Sequence, residues 1–188
     1  FPFPCSRTAA GCQVVELGVP YGRLTAALQE IITTTGLSLR GFSMMHDDEV
    51  AHLCNFSRAE AALARRRDYD EPFIIADAAG AAAGRAEELL RDAAARLGLM
   101  ITRGGRFFHL TGAHDKGTAV RILLDLFARR YGTVYSIGFG DSGNDLPMLR
   151  ETDMAVMIPK KDGTFAVGEA LTNCMRAAAP GPAGWAAS

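Results

Sequence analysis

Thr133-Val134-Tyr135-Ser136-Ile137-Gly138-Phe139 runs directly into Gly140-Asp141-Ser142-Gly143-Asn144-Asp145. The first stretch is an apolar run closed by glycine, which predicts a buried parallel strand over 133–139. The second puts two carboxylates and an amide into a Gly-rich turn at the carboxyl end of that strand. Ligands of open α/β sheets gather at such strand ends. A hard cation such as Mg²⁺ takes carboxylate oxygens there and completes its shell with water and substrate phosphate. Asp, Asn and Gly also make ordinary turns after strands. The full order, buried strand, then G-D, then N-D, favours a metal and phosphate site. A helix is expected from Asn144 or Asp145 to 152, and a second buried strand over 154–158.

Upstream, Asp115-Lys116-Gly117 opens a predicted helix over 116–130, with Val120, Leu123, Leu124 and Phe127 facing inward. A lysine at a helix N-terminus can reach an anion that the backbone N–H groups and the dipole already favour. By itself it also fits a solvated first-turn lysine; its place just before the acid strand favours the phosphate role. Downstream, the chain reads as a loop, a short helix near 167–172, and a tail rich in Ala, Pro and Gly.

The first hundred residues have a different rhythm. No period is evident over 1–15. Helices are expected over 21–35, closed by Gly36, over 47–53, over 57–67 and over 79–97. Ser57 followed by Glu60 is a capping box. Strands are expected over 37–45, 73–76, 99–102 and 106–111, the last two joined by Arg103-Gly104-Gly105 as a hairpin. Those glycines let backbone amides approach an anion. Arg103 and Arg106 carry guanidinium forks that match carboxylate or phosphate. An exposed basic hairpin explains the same residues equally well. His109 on the second strand fits a hydrogen-bonded strand histidine better than a catalyst. Asp68-Tyr69-Asp70 is a D-x-D, but charged Arg65-Arg66-Arg67 precedes it and Glu71-Pro72 follows. It reads as a helix end and a turn, not as a nucleophile.

Bulk properties narrow the function classes. The 188 residues are 48% hydrophobic and 22% charged, with a net charge of -1. No basic excess or aromatic-interleaved basic stripe points to nucleic acid or a membrane surface. No apolar run approaches a membrane span, and the start of the chain lacks signal-peptide features. Four scattered cysteines suit free thiols in a reducing cytoplasm.

Together, R-D-Y-D-E-P-F, G-G-R-F-F-H, D-K-G, G-D-S-G-N-D and the terminal Gly181-Pro182-Ala183-Gly184-Trp185 resemble, in the same order, the mannosyl-3-phosphoglycerate phosphatases. These belong to the capped Cof-like (IIB) branch of the haloacid dehalogenase (HAD) phosphatases. The resemblance implies an α/β fold: a partial HAD-like, Rossmann-like parallel-sheet core with a large α+β cap. Residues 1–11 would be a remnant of the core, 12–112 the cap, and 113–188 the C-terminal half of the core. It implies Mg²⁺ held by Asp141 and Asp145, with Lys116 steadying the phosphoryl group and Asn144 orienting a carboxylate or touching phosphate. Arg103, Gly104, Gly105, Arg106 and His109 would contact a phosphorylated sugar-glycerate from the cap. The family's N-terminal D-x-D strand and the Ser/Thr motif that follows it are not found, so the chain reads as truncated and inactive alone. An uncovered core strand would then favour a homo-oligomer. A sugar-phosphate-binding protein without turnover, or a phosphatase for another sugar phosphate, would leave the same motifs.

Overall fold

The computed structural model describes residues 3–76, 81–104, 106–166, 171 and 173–187, with the side chains of 81–83 left aside. The chain divides into two compact units, Phe1–Ala113 and His114–Ser188.

The first unit opens with a hairpin, β1 (Arg7–Ala9) and β2 (Cys12–Val14), in which Ala9 pairs with Cys12. The sequence gives no alternation here, and the placement of a boundary after residue 11 cuts through this hairpin. Then follow α1 (Tyr21–Thr35), β3 (Leu39–Gly41), α2 (Asp47–Cys54), α3 (Arg58–Ala64), β4 (Asp70–Ile75), α4 (Ala81–Arg96), β5 (Leu99–Arg103) and β6 (Phe108–Gly112). The four later strands form an antiparallel sheet in the order β3-β4-β6-β5. Successive strand residues face opposite sides. Phe73 packs with Leu24, Leu28 and Ile31 of α1 and Leu90 and Ala94 of α4. Its neighbour Ile74 packs against Phe42, Val50 and Ala61 around α2 and α3. The sheet is therefore covered on both faces by helices from its own unit. Ser57 and Glu60 close the capping box as expected, with the Ser57 N–H donating to Glu60 at 2.8 Å.

β4 begins earlier than the sequence suggests. The turn expected at Asp70-Glu71-Pro72 is strand, and Glu71 and Pro72 are fully buried. On the β3 side proline is tolerated because β3 pairs with β4 only from Phe73 onward, while on the other side Pro72 lies opposite His109 of β6. Glu71 is accommodated because Oε1 accepts the Ser43 N–H at 3.0 Å and the Ser43 hydroxyl at 2.6 Å.

The second unit runs α5 (Lys116–Tyr131), β7 (Ile137–Gly140), a 3₁₀ turn (Gly143–Asp145), α6 (Leu146–Arg150), β8 (Met154–Met157), β9 (Cys174–Arg176) and α7 (Gly181–Ala187). The three strands are parallel, in the order β7-β8-β9. Ala155 and Met157 pack against Leu146 and Leu149 of α6. Val156 and Ile158 face the other side with Ala177 and Phe139. Three expectations change. The strand foreseen over 133–139 starts only at Ile137, because the Ser136 N–H and hydroxyl both donate to the Asp153 carboxylate at 2.7 Å. Nor is it wholly buried, since Ile137 is 52% exposed. Leu123 and Phe127 of α5 are half exposed rather than inward, and Phe127 stacks on Tyr131 with centroids 5.9 Å apart. The tail read as irregular contains β9 and α7; most of the helix expected over 167–172 lies outside the described residues.

Candidate functional site

The acid turn is built by close approaches that only glycine permits. β7 ends at Gly140, where a Cβ would lie 2.5 Å from the Asp145 Cβ. Without one, the turn folds back, and the N–H groups of Asp141 and Ser142 donate to Asp145 Oδ2 at 3.2 and 3.1 Å. The Ser142 hydroxyl stands 2.6 Å from the same oxygen and also within reach of Asn144 Oδ1, and it can donate to one of them at a time. Asn144 is thus tied into the turn through Ser142, a residue the sequence reading passed over.

α5 brings the cation. Asp115 is its N-cap, accepting the Thr118 N–H at 2.8 Å, and Lys116 is its first residue. At Gly117 a Cβ would sit 2.6 Å from the Pro147 carbonyl oxygen. The glycine of D-K-G therefore lets the start of α5 press against the start of α6. That places Lys116 Nζ 2.5 Å from Asp145 Oδ1. Burial pushes the Asp145 carboxyl up, but the bonds from Lys116, Ser142 and the Asp141 N–H outweigh it and hold it below the usual carboxylate range.

The two acids are unlike. Asp145 is 6% exposed and its oxygens are taken by Lys116 and the turn. Asp141 is exposed, and no hydrogen bond or ion pair of its carboxylate is found among the described residues. No group of three or more His, Cys, Asp or Glu side chains able to hold a metal ion occurs among the described residues. A cation here would depend on Asp141 plus oxygens from water and a phosphorylated ligand, which suits Mg²⁺. Asp141 and Asp145 line a cleft of 670 Å³ with Phe139, Gly140, Ile158, Gly181, Pro182, Trp185 and Ala186.

In the first unit the other expected contact residues have partners of their own. Arg103 lies 3.5 Å from Glu87 and over the Phe108 ring at 5.3 Å. Arg106 donates to the Leu53 carbonyl at the end of α2. The Gly104 N–H closes the hairpin on the Phe107 carbonyl at 2.9 Å. His109 Nδ1 lies 3.0 Å from Asp70, which also pairs with Arg67 at 3.2 Å. Gly105 lies outside the described residues. A cleft of 430 Å³ in this unit is lined instead by Phe56, Glu60, Leu63, Ala64, Arg66 and Arg67.

No protein-family model matches the chain. A glucosyl-3-phosphoglycerate/mannosyl-3-phosphoglycerate phosphatase from Methanococcoides burtonii is 36% identical over 92% of this chain and 62% of that protein. A protein of the same name from Persephonella marina is 35% identical over 98% of this chain and 66% of its own length. Over most of its length the chain is similar to the mannosyl-3-phosphoglycerate phosphatases. A mannosyl-3-phosphoglycerate phosphatase from Pyrococcus furiosus is 33% identical over 84% of this chain and 61% of that one. The chain spans just under two thirds of the length of each of these relatives. Among solved structures, BT1666 from Bacteroides thetaiotaomicron, in the haloalkanoate superfamily, aligns with a TM-score of 0.46 at 17% identity, over 88% of this chain and 63% of that one. So loose a superposition places no residue.

Proposed function

We propose that the protein removes phosphate from a glycosyl-3-phosphoglycerate, mannosyl-3-phosphoglycerate foremost, and that the second unit supplies its phosphate and metal machinery. The observation that carries this reading is the Lys116–Asp145 pair at 2.5 Å, set at the carboxyl end of β7 beside the exposed carboxylate of Asp141. Phosphoryl transfer asks a protein mainly for positioning and for positive charge near the equatorial oxygens. Lys116 supplies that charge. Asp145 fixes its ammonium group in place, and with it the loop that carries Asp141. Asp141 would hold Mg²⁺, and Asp145, whose Oδ1 accepts from Lys116 and keeps a second lone pair, would complete the acid pair. Such an ion, when bound, neutralises charge on the phosphoryl oxygens.

The first unit takes the part of a cap in this reading, with Arg103, Arg106 and His109 available to a sugar or glycerate once their present partners yield. Asp70 is a poor nucleophile, being tied to Arg67 and His109. The 188-residue chain, which holds the Lys116–Asp145 pair and Asp141, should bind the ester. A reducing, cytoplasmic setting accords with four unpaired cysteines, and no helix among the described residues is long and apolar enough to cross a membrane. The test is phosphate release by the complete gene product across mannosyl-3-phosphoglycerate, glucosyl-3-phosphoglycerate and a generic aryl phosphate. Preference for the glycosyl esters supports the reading, and equal rates on all three reject it.

A further inference from the structure

Trp185 is the only tryptophan of the chain, and it is 60% exposed although it is the largest apolar side chain present. Its ring lies 5.1 Å from that of Phe139, tilted by 47°. One part of the indole is thus anchored on the sheet, while the rest forms a wall of the cleft that holds Asp141 and Asp145. The backbone is committed to this placement. At Gly184 a Cβ would lie 1.7 Å from the Ala179 carbonyl oxygen, so only glycine lets α7 settle onto the segment before it. Gly181, at a φ of 59°, turns the chain into that helix, and Pro182 joins the cleft wall. Phe139 comes from the strand that also leads to the acids, so the indole on α7 rests on the element that ends at Asp141.

The cleft therefore has two chemically different ends. One is acidic and cation-ready; the other is built from Trp185, Phe139, Ile158 and Pro182. Ligand sites of 300–1,000 Å³ pair an apolar wall with a few polar groups that fix orientation, and this one holds about 670 Å³. An aromatic face beside a phosphate site suits a ligand whose non-phosphate part has an apolar face and a polar rim. A pyranose ring does, through its axial C–H groups, whereas inorganic phosphate and glycerate offer little to an indole.

We propose that Trp185 is a substrate-contact residue: its indole packs against the glycosyl ring of the phosphate ester and contributes to selection of glycosylated over plain phosphoglycerate. This rests on the function proposed above. Because Trp185 is the sole tryptophan, its emission reports the cleft directly. The 188-residue chain is titrated, with Mg²⁺ present, against mannosyl-3-phosphoglycerate, 3-phosphoglycerate and inorganic phosphate, following Trp185 emission and, separately, heat. The expected result is a saturable emission change with the mannosyl ester, and little change with the two sugar-free probes even where heat records binding. Trp185→Ala should weaken the mannosyl ester about tenfold, or about 1.4 kcal/mol, and leave 3-phosphoglycerate within about twofold. Trp185→Phe, which keeps an aromatic on Phe139, should fall between and guards against a folding defect in the alanine variant. Calorimetric binding of the mannosyl ester with unchanged emission and unchanged affinity in both variants would overturn the role of Trp185 while leaving the proposed function standing. No binding of any probe would overturn both.

Discussion

Substituting Gly117 by alanine separates the role of close packing from that of helix propensity. Alanine favours a helix over glycine by about 0.8–1.0 kcal/mol, so the sequence alone expects Gly117→Ala to stabilise α5. In the structure the new Cβ would stand 2.6 Å from the Pro147 carbonyl oxygen and 2.8 Å from its carbon. Both are backbone atoms, so no rotamer change relieves the clash. To reach ordinary contact at 3.4 Å the two helix starts must separate by about 0.8 Å. Overpacking of this kind costs about 1–3 kcal/mol. Set against the propensity gain, the net expectation is a loss of about 1 kcal/mol, a fall of roughly 0.5–1 M in the urea midpoint of a small unit. Trp185 lies in the second unit, so its emission follows that unit's unfolding. The variant should also bind the mannosyl ester more weakly, because the shift draws Lys116 away from Asp145. A midpoint equal to or above that of the wild type would show that α5 and α6 do not press together at Gly117 and would undo the account of how Lys116 is placed.

Three further outcomes are expected. Lys116→Ala in the complete gene product should lower kcat about 10²-fold, as for other groups aimed at developing charge; a loss under threefold removes Lys116 from the phosphoryl site. The Asp145 carboxyl is held below its ordinary value, so its stabilising effect is full above about pH 4 and is lost as pH falls through its folded value. The gap in urea midpoint between wild type and Asp145→Asn should hold from pH 7 to 5 and shrink below 4, and a gap unchanged at pH 2.5 would contradict this. Among the described residues β7 pairs only with β8, and Leu123, Phe127 and Tyr131 leave an exposed apolar stripe on α5. Open strand edges and such stripes invite association. Sedimentation of the 188-residue chain should show concentration-dependent dimers, and a monomer at all concentrations would refute this.

Much of this was legible in the sequence where the signal is local. The G-D-x-x-N-D turn, the Lys116 helix start and the Ser57–Glu60 box depend on neighbours within a few residues, and all three form. Signals failed where tertiary contacts decide. Asp153 captures Ser136 from 17 residues away and shortens β7. Pro72 sits in a strand because β3 stops short of it. Glycines in α5 and α7 read as helix-weakening or tail-like, yet Gly117 and Gly184 mark contacts that only a fold reveals. The D-x-D spacing of Asp68 and Asp70 says nothing of His109, which binds Asp70 from 39 residues away. The unlike states of Asp141 and Asp145 were equally hidden, since the motif writes both as the same letter.

The central claim is that Asp141 is the open cation-binding carboxylate of a phosphatase site. It is tested most directly by the Mg²⁺ dependence of phosphate release from mannosyl-3-phosphoglycerate, compared between the complete gene product and its Asp141→Asn variant. The wild type should require Mg²⁺ and saturate with it. The variant should lose most of its activity and need far more Mg²⁺ to recover what remains. Identical Mg²⁺ titrations in the two proteins, or phosphate release that needs no divalent cation, would contradict the account.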